Sequence, residues 1–154
     1  MSRRIDPKNL GAYEKRVAKM LASGVDGALR RAGAKGVALL ARKSAKIEWR
    51  GRFKTGWMYQ ARSSTLRFFN KTRHWIFVEK GRKPGLPMPP VRAIRRWVLD
   101  HGMHANAAFP IARSIGIRGI KARPVLTAPA NVKALQNIVK TELSSFVRNV
   151  LRTA

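Results

Sequence analysis

Cysteine is missing from the 154 residues of this chain. Disulfide bonds, thiolate metal ligands and thiol nucleophiles are therefore excluded, because each of them requires a cysteine sulfur. Long apolar runs are missing as well. None has the length of a signal peptide, and none approaches the roughly 18 residues that a membrane-spanning helix needs. We therefore expect a protein that is soluble, at least until it assembles, and that has no membrane partner.

Acidic residues are also scarce. The chain has 7 Asp and Glu against 33 Lys and Arg, which gives a formal net charge of +26 at pH 7. Such a surface attracts polyanions, and nucleic acid is the usual one, because a duplex carries about one negative charge per 1.7 Å and releases counterions when Lys and Arg approach. An acidic protein neighbour in an assembly would meet the same charge. Composition leaves both partners open.

The shortage of acids also bears on catalysis. A nuclease would suit a basic chain, but metal-dependent phosphodiester hydrolysis normally gathers several carboxylates around its ions. Between Asp26 and Asp100 the only acids are Glu48 and Glu79. His74 and Glu79 do not form an acid–base pair on a strand, because their odd separation places them on opposite faces. We therefore expect no catalytic residue and no enzymatic activity.

Asp100, His101 and His104 are the nearest approach to a metal site, since carboxylate and imidazole groups are ordinary ligands of zinc and iron. The two histidines stand beside a glycine, and no evident third ligand accompanies them. This pattern is more typical of a turn at the end of a helix. The sequence thus predicts neither a metal nor another cofactor.

A long amphipathic helix is predicted near the start of the chain. Asp6 and Pro7 are typical of a helix start, because Asp accepts hydrogen bonds from free backbone N–H groups and Pro at the first position loses none. Apolar residues then recur at helical spacing as far as Ile47, with lysines and arginines between them. The glycines from Gly24 to Gly36 either break this helix or allow another element to pack closely against it.

Three short strands are predicted in the middle of the chain, at residues 57–61, 65–69 and 75–78, where aromatic residues are frequent. Gly56 and residues 70–73 supply the turns. We expect an antiparallel sheet of about three strands packed on the long helix, and hence an α+β fold. The length of the chain predicts a single domain over residues 1–154.

Prolines mark the second half of the chain. Residues 81–90 contain four prolines, which remove backbone donors and favour extended geometry, so a loop that contacts a partner is predicted there. Short helices are expected at residues 91–99 and around 110–117. Thr127 is typical of a helix cap, with Pro129 in the first turn. Apolar residues spaced by three and four then predict a long C-terminal helix.

Four segments occur together in an order that one protein family shares. They are helical residues 33–40 (GAKGVALL), residues 53–58 (FKTGWM), residues 75–81 (WIFVEKG) and residues 109–124 (FPIARSIGIRGIKARP). As a set they resemble the tail-component family of lambda-like long-tailed phages and prophages, which includes tail completion and neck proteins. Members typically carry a Thr-Gly turn opening a strand, a strand ending in Val-Glu-x-Gly, and an Ala-Phe-x-Ile-Ala-Arg helix leading to Arg-Pro and a final helix.

The resemblance implies a structural virion protein that forms a ring of copies at the head-proximal end of the tail, with sixfold symmetry, and joins the tail to the head. Its neighbours would be the tail tube, the tail terminator and the head-closure ring, and it would be assembled in the cytoplasm of the bacterial host. The positions that match the family's motifs are candidate interface residues: Thr55, Gly56, Glu79, Gly81, Arg123 and Pro124. Glu79, as one of few acids, is also expected to pair with an arginine.

The positive charge supplies a second set of candidate contacts. In such a ring, one face of each subunit is expected to meet phage DNA in the lumen, or an acidic neighbouring ring, without reading base sequence. The candidate residues for this face are Arg30, Arg31, Arg42, Lys43, Arg92, Arg95 and Arg96.

Two rival functions stay open. The first is a stand-alone basic protein that binds RNA or DNA, with bases stacking on aromatic side chains between arginines. For the aromatic residues of this region a position in the core is favoured over base stacking; they are Trp57, Tyr59, Phe69 and Trp75. The second rival is a nuclease or a toxin.

Overall fold

The computed structural model describes residues 10–45, 47, 52–62, 64–72 and 74–153. The elements follow in the order α1 (Leu10–Lys43), α2 (Arg52–Thr55), β1 (Trp57–Arg62), β2 (Thr65–Asn70), α3 (Trp75–Lys80), α4 (Val91–Asp100), a 3₁₀ turn (Ala105–Ala107), α5 (Ala108–Arg118) and α6 (Pro129–Thr153). The chain is mostly helical, with a two-stranded antiparallel sheet between long N- and C-terminal helices. The predicted α+β class is confirmed.

Helix α1 runs without interruption for 34 residues, so a break at its glycines is ruled out. Close packing, the alternative explanation, is what the structure shows. A Cβ built at Gly33 would overlap the ring of Tyr59, and one at Gly36 would lie 2.5 Å from the ring of Phe68. Arg42 and Lys43 occupy the last turn, where positive charges interact favourably with the negative end of the helix dipole. The predicted start at Asp6 and Pro7 lies outside the described residues.

The third predicted strand is wrong. Residues 75–80 form helix α3, and β1 and β2 are the only pair in the described sheet. Residues 75–78 are uniformly apolar, and a short apolar run without alternation does not distinguish a buried strand from a buried helix. Gly81 then ends the helix with a positive φ of 69°, a conformation that glycine adopts without steric cost.

Helices α4 and α5 confirm the two predicted short helices, with ends shifted by one or two residues. The long C-terminal helix is confirmed as well, with Pro129 as its first residue. Thr127 is not the expected cap, because its hydroxyl donates to Glu79 two residues before the helix begins. Residues 81–90 are irregular, as predicted. Among the described residues, no helix combines the length and the apolar character needed to span a membrane.

The chain divides into two compact units, and neither is a continuous segment. The first comprises the described parts of Met1–Leu40, Trp57–Phe69 and Pro129–Ala154, and its buried apolar residues include Ala28, Leu29, Ala32, Trp57 and Leu135. The second comprises those of Ala41–Gly56 and Asn70–Ala128, and it buries Phe53, Val98, Ala108, Ala112 and Val125. That residues 1–154 act as a single domain stays a prediction.

Candidate interaction sites

Glu79 lies at the end of α3 and is only 4% exposed. Its Oε1 accepts hydrogen bonds from the backbone N–H groups of Val125 (2.9 Å) and Leu126 (2.7 Å). Its Oε2 accepts from the N–H (3.2 Å) and the hydroxyl (3.0 Å) of Thr127. The expected arginine partner is therefore wrong within the described part of the chain, because three successive amides converge on the carboxylate and satisfy it instead.

The segments around Gly81 and Arg123 are also bonded to each other. Arg82 and Ile120 exchange two backbone hydrogen bonds of 2.8 and 2.9 Å, and the N–H of Arg123 donates to the carbonyl of Val78 at 2.7 Å. A Cβ at Gly81 would overlap the carbonyl oxygen of Ile120, so this approach requires glycine. Two segments that the sequence singled out separately, residues 75–81 and 109–124, thus meet in one place. Pro124 follows there and is exposed.

Thr55 ends helix α2, Gly56 forms the predicted turn, and strand β1 begins directly after it. The N–H of Gly56 donates to Phe53, and its carbonyl accepts from Lys71. Asn70, which the sequence indicated only as part of a turn, is the residue that ties these pieces together. It is buried, its side-chain amide donates to the carbonyl of Phe53 at 2.9 Å, and its Oδ1 accepts from Thr72.

The basic candidates are divided between the two units. Arg92, Arg95 and Arg96 are exposed and lie at positions i, i+3 and i+4 of α4, so they share one helical face in the second unit. Arg42 and Lys43, in the last turn of α1, belong to the same unit, whereas Arg30 and Arg31 belong to the first.

Arg31 is already engaged in an ion pair. Its Nε lies 3.1 Å from one carboxylate oxygen of Glu142, and Lys35 Nζ lies 2.5 Å from the other. These contacts join α1 to α6. The ammonium of Lys35, and after it the guanidinium of Arg31, hold the pKa of the buried Glu142 carboxyl below its ordinary value. Arg31 is therefore less available than Arg30 to an external phosphate.

The histidines near the end of α4 have structural roles. His101 Nδ1 lies 2.8 Å from the carbonyl of Trp97, and the two rings are in contact, with centroids 4.1 Å apart and planes tilted by 31°. His104 precedes the 3₁₀ turn and accepts a hydrogen bond from the N–H of Asn106 at 3.3 Å. Among the described residues, no group of three His, Cys, Asp or Glu side chains is placed to hold a metal ion.

The aromatic residues of β1, β2 and the start of α3 are buried or half-buried. Trp57 is buried and Tyr59 is half-buried against Gly33 of α1. Phe69 and Trp75 are also half-buried. The structure therefore favours packing over base stacking for these residues, as the sequence indicated.

An open groove of about 1330 Å³ lies within the second unit, between residues 81–90 and helices α3, α4 and α5. Its floor is apolar and includes Phe53, Ile94, Ile111 and Ile115. Sequence reasoning missed this groove. Its signal was Trp97, a large residue three positions after Ile94 on the apolar side of α4, which the structure leaves 46% exposed.

The chain matches no family model, no curated protein and no solved structure. The likeness to the phage tail-component family therefore rests on the four sequence segments.

Proposed function

We propose that this chain is a structural virion protein of a long-tailed bacteriophage, a tail completion or neck component that forms a ring at the head-proximal end of the tail and joins it to the head. The observation that carries this proposal is the bonding of Glu79 to the backbone of residues 125–127, directly after Arg123 and Pro124. Through these bonds, the motif that contains Glu79 and the motif that ends in Arg123 and Pro124 stabilise each other.

The dependence matters because each motif alone is a short and common pattern. If the likeness were accidental, the motifs could still occur in the family's order, but there would be no reason for them to contact each other in the fold. Here the carboxylate of one motif binds the amides that follow the other, and Gly81 allows the two backbones to approach. Motifs that need each other are what a shared fold would retain, but residues 75–80 form helix α3 here, whereas the family pattern has a strand at that position.

The surface is also suited to an assembly. Large apolar side chains are exposed in the second unit, among them Leu99, Phe109 and Ile117. Interfaces of oligomers bury such side chains, and closed rings do so between unlike faces of identical subunits. A ring of six subunits, each of formal charge +26, would need anions nearby, which DNA in the lumen or an acidic neighbouring ring would supply.

Stand-alone nucleic-acid binding is the second candidate, favoured by the exposed face of Arg92, Arg95 and Arg96. Such a face would contact phosphates without reading base sequence. The two candidate functions predict different locations for the protein. A virion component stays with the particle, whereas a stand-alone binder stays with cellular nucleic acid.

Purified virions of the phage that carries the gene provide the test. Particles are treated with DNase, banded in a density gradient at high salt, and analysed by quantitative mass spectrometry. We expect the chain in a fixed number of copies per particle, close to six, because apolar ring interfaces resist salt whereas phosphate contacts weaken steeply with it. Loss of the chain from the particles at high salt, with recovery in the nucleic-acid fraction, would favour the second candidate.

A further inference from the structure

We propose that the groove of the second unit is a docking site for an acidic segment of another protein, whose apolar side chains fill the groove while its carboxylates pair with a basic rim. This inference goes beyond the proposed function and does not depend on it. It rests on the exposed apolar lining of the groove, on the way its walls are held, and on the charges around it.

The lining contains five large apolar side chains that are each 41 to 49% exposed: Phe77, Leu86, Met88, Trp97 and Ile120. Single exposed apolar residues are ordinary on a protein surface, but several that share one concavity mark a contact site. They come from α3, from the proline-rich segment, from α4 and from the chain after α5. An apolar partner would remove all of them from water together.

The walls of the groove are held in place without a partner. The N–H of Gly85 donates to the carbonyl of Gly116 at 2.9 Å, and Arg82 is bridged to Ile120. A Cβ at Gly116 would lie 3.3 Å from the Cα of Met88, so the proline-rich backbone packs tightly on α5. The ring of Trp97 contacts the ring of His101, with centroids 4.1 Å apart. A preformed site loses less conformational entropy when a ligand binds, which favours affinity.

The charges select the occupant. Among the described residues that line the groove, four are cations, Arg82, Arg96, Lys121 and Arg123, and one is an acid, Asp100. A second copy of this chain also carries a net charge of +26, so it would bring further positive charge to this rim. A nucleic-acid strand would satisfy the cations but leave the aliphatic side chains of the lining without an apolar partner. A segment with two or three large apolar anchors among Asp and Glu residues meets both requirements.

The test is a selection from a library of random 16-residue peptides, carried out with the full chain at physiological salt. We expect the enriched peptides to share acidic residues and large apolar anchors. Acidic peptides bind any basic surface weakly, so a variant that removes positive charge would not identify the groove. Trp97→Ala is therefore the deciding variant, because it removes an apolar side chain and leaves the charge unchanged. It should weaken the best peptide by at least tenfold, as expected for an aromatic anchor at the centre of an interface.

The matched control is Phe109→Ala, which truncates a similarly exposed aromatic side chain (55%) outside the groove and should leave the affinity unchanged. Lys121→Glu should weaken binding more than Lys133→Glu, which makes the same charge change at an exposed position of α6. Circular dichroism checks that each variant is folded.

Three results would overturn the proposal. One is equal affinity of the Trp97→Ala and Phe109→Ala variants for the selected peptide. Another is tighter binding of a single-stranded oligonucleotide than of any peptide, lost in Trp97→Ala. The last is self-association of the wild-type chain in sedimentation that Trp97→Ala abolishes, which would mean that a second copy covers the groove.

Discussion

Thr127 is bonded twice to Glu79: its backbone N–H and its hydroxyl both donate to Oε2, at 3.2 and 3.0 Å, across 48 residues of chain. Together with the two amides on Oε1, these bonds fix the segment that leads into α6 to the end of α3. A buried carboxylate with four donors is satisfied, whereas the donors have no comparable acceptor if the carboxylate is removed.

Glu79→Gln should therefore destabilise the chain strongly. The amide keeps one oxygen, but its NH₂ group would face donors, so at least one buried hydrogen bond is lost and a repulsive contact replaces it. We expect a loss of about 2–4 kcal/mol in the free energy of unfolding, measured with urea. Glu14→Gln is the control, because Glu14 is exposed on α1 and the charge change is the same. Equal stability of the two variants would contradict the structural role of Glu79.

Two glycines of α1 should respond in opposite directions to alanine. Ala stabilises a helix interior by about 1 kcal/mol relative to Gly. A Cβ at Gly27 meets nothing closer than an Arg31 nitrogen at 3.8 Å, so Gly27→Ala should raise the midpoint of thermal unfolding. At Gly33 the Cβ would overlap the Tyr59 ring, and overpacking typically costs about 1–3 kcal/mol, so the midpoint should fall. A rise in both variants would mean that the hairpin does not pack on Gly33.

The ion pairs of Glu142 should make the stability of the folded chain depend on pH. Because Lys35 and Arg31 lower the pKa of its carboxyl in the folded chain, the stabilisation is complete above the ordinary carboxyl pKa and is lost as the pH falls through the lowered folded value. The midpoint of thermal unfolding should be lower in Glu142→Gln than in the wild type near neutral pH, and the difference should shrink in acid. A difference that is constant over this range would indicate that the ion pairs contribute nothing.

The arginines of α4 should matter for phosphate contacts more than other cations do. We compare Arg92, Arg95 and Arg96, all changed to Gln, with Lys133, Lys140 and Arg148 of α6 changed in the same way, so that each triple variant loses three positive charges. The α4 variant should bind duplex DNA more weakly, and the slope of log affinity against log salt should become shallower by about 3. Each substitution should change stability by less than about 0.5 kcal/mol. Identical effects of both triple variants would mean that the affinity for DNA depends only on the net charge of the chain and not on the arginines of α4.

The sequence predicted the long helices well, because the apolar spacing over α1 and α6 is repeated for many turns. It failed at residues 75–78, where four apolar residues carry no period. It also failed at Glu79, because an excess of arginines suggested a side-chain partner whereas backbone amides leave no mark in a sequence. The groove was missed because its lining, from Ile47 to Arg123, is assembled from segments that are far apart in the sequence.

Electron micrographs of a phage that lacks this gene test the proposed role most directly. We predict DNA-filled heads and complete tails that are not joined, and the restoration of joined particles when the wild-type chain is supplied from a plasmid. Normal numbers of joined, infectious virions in the absence of the chain would contradict the assignment to the neck or the end of the tail.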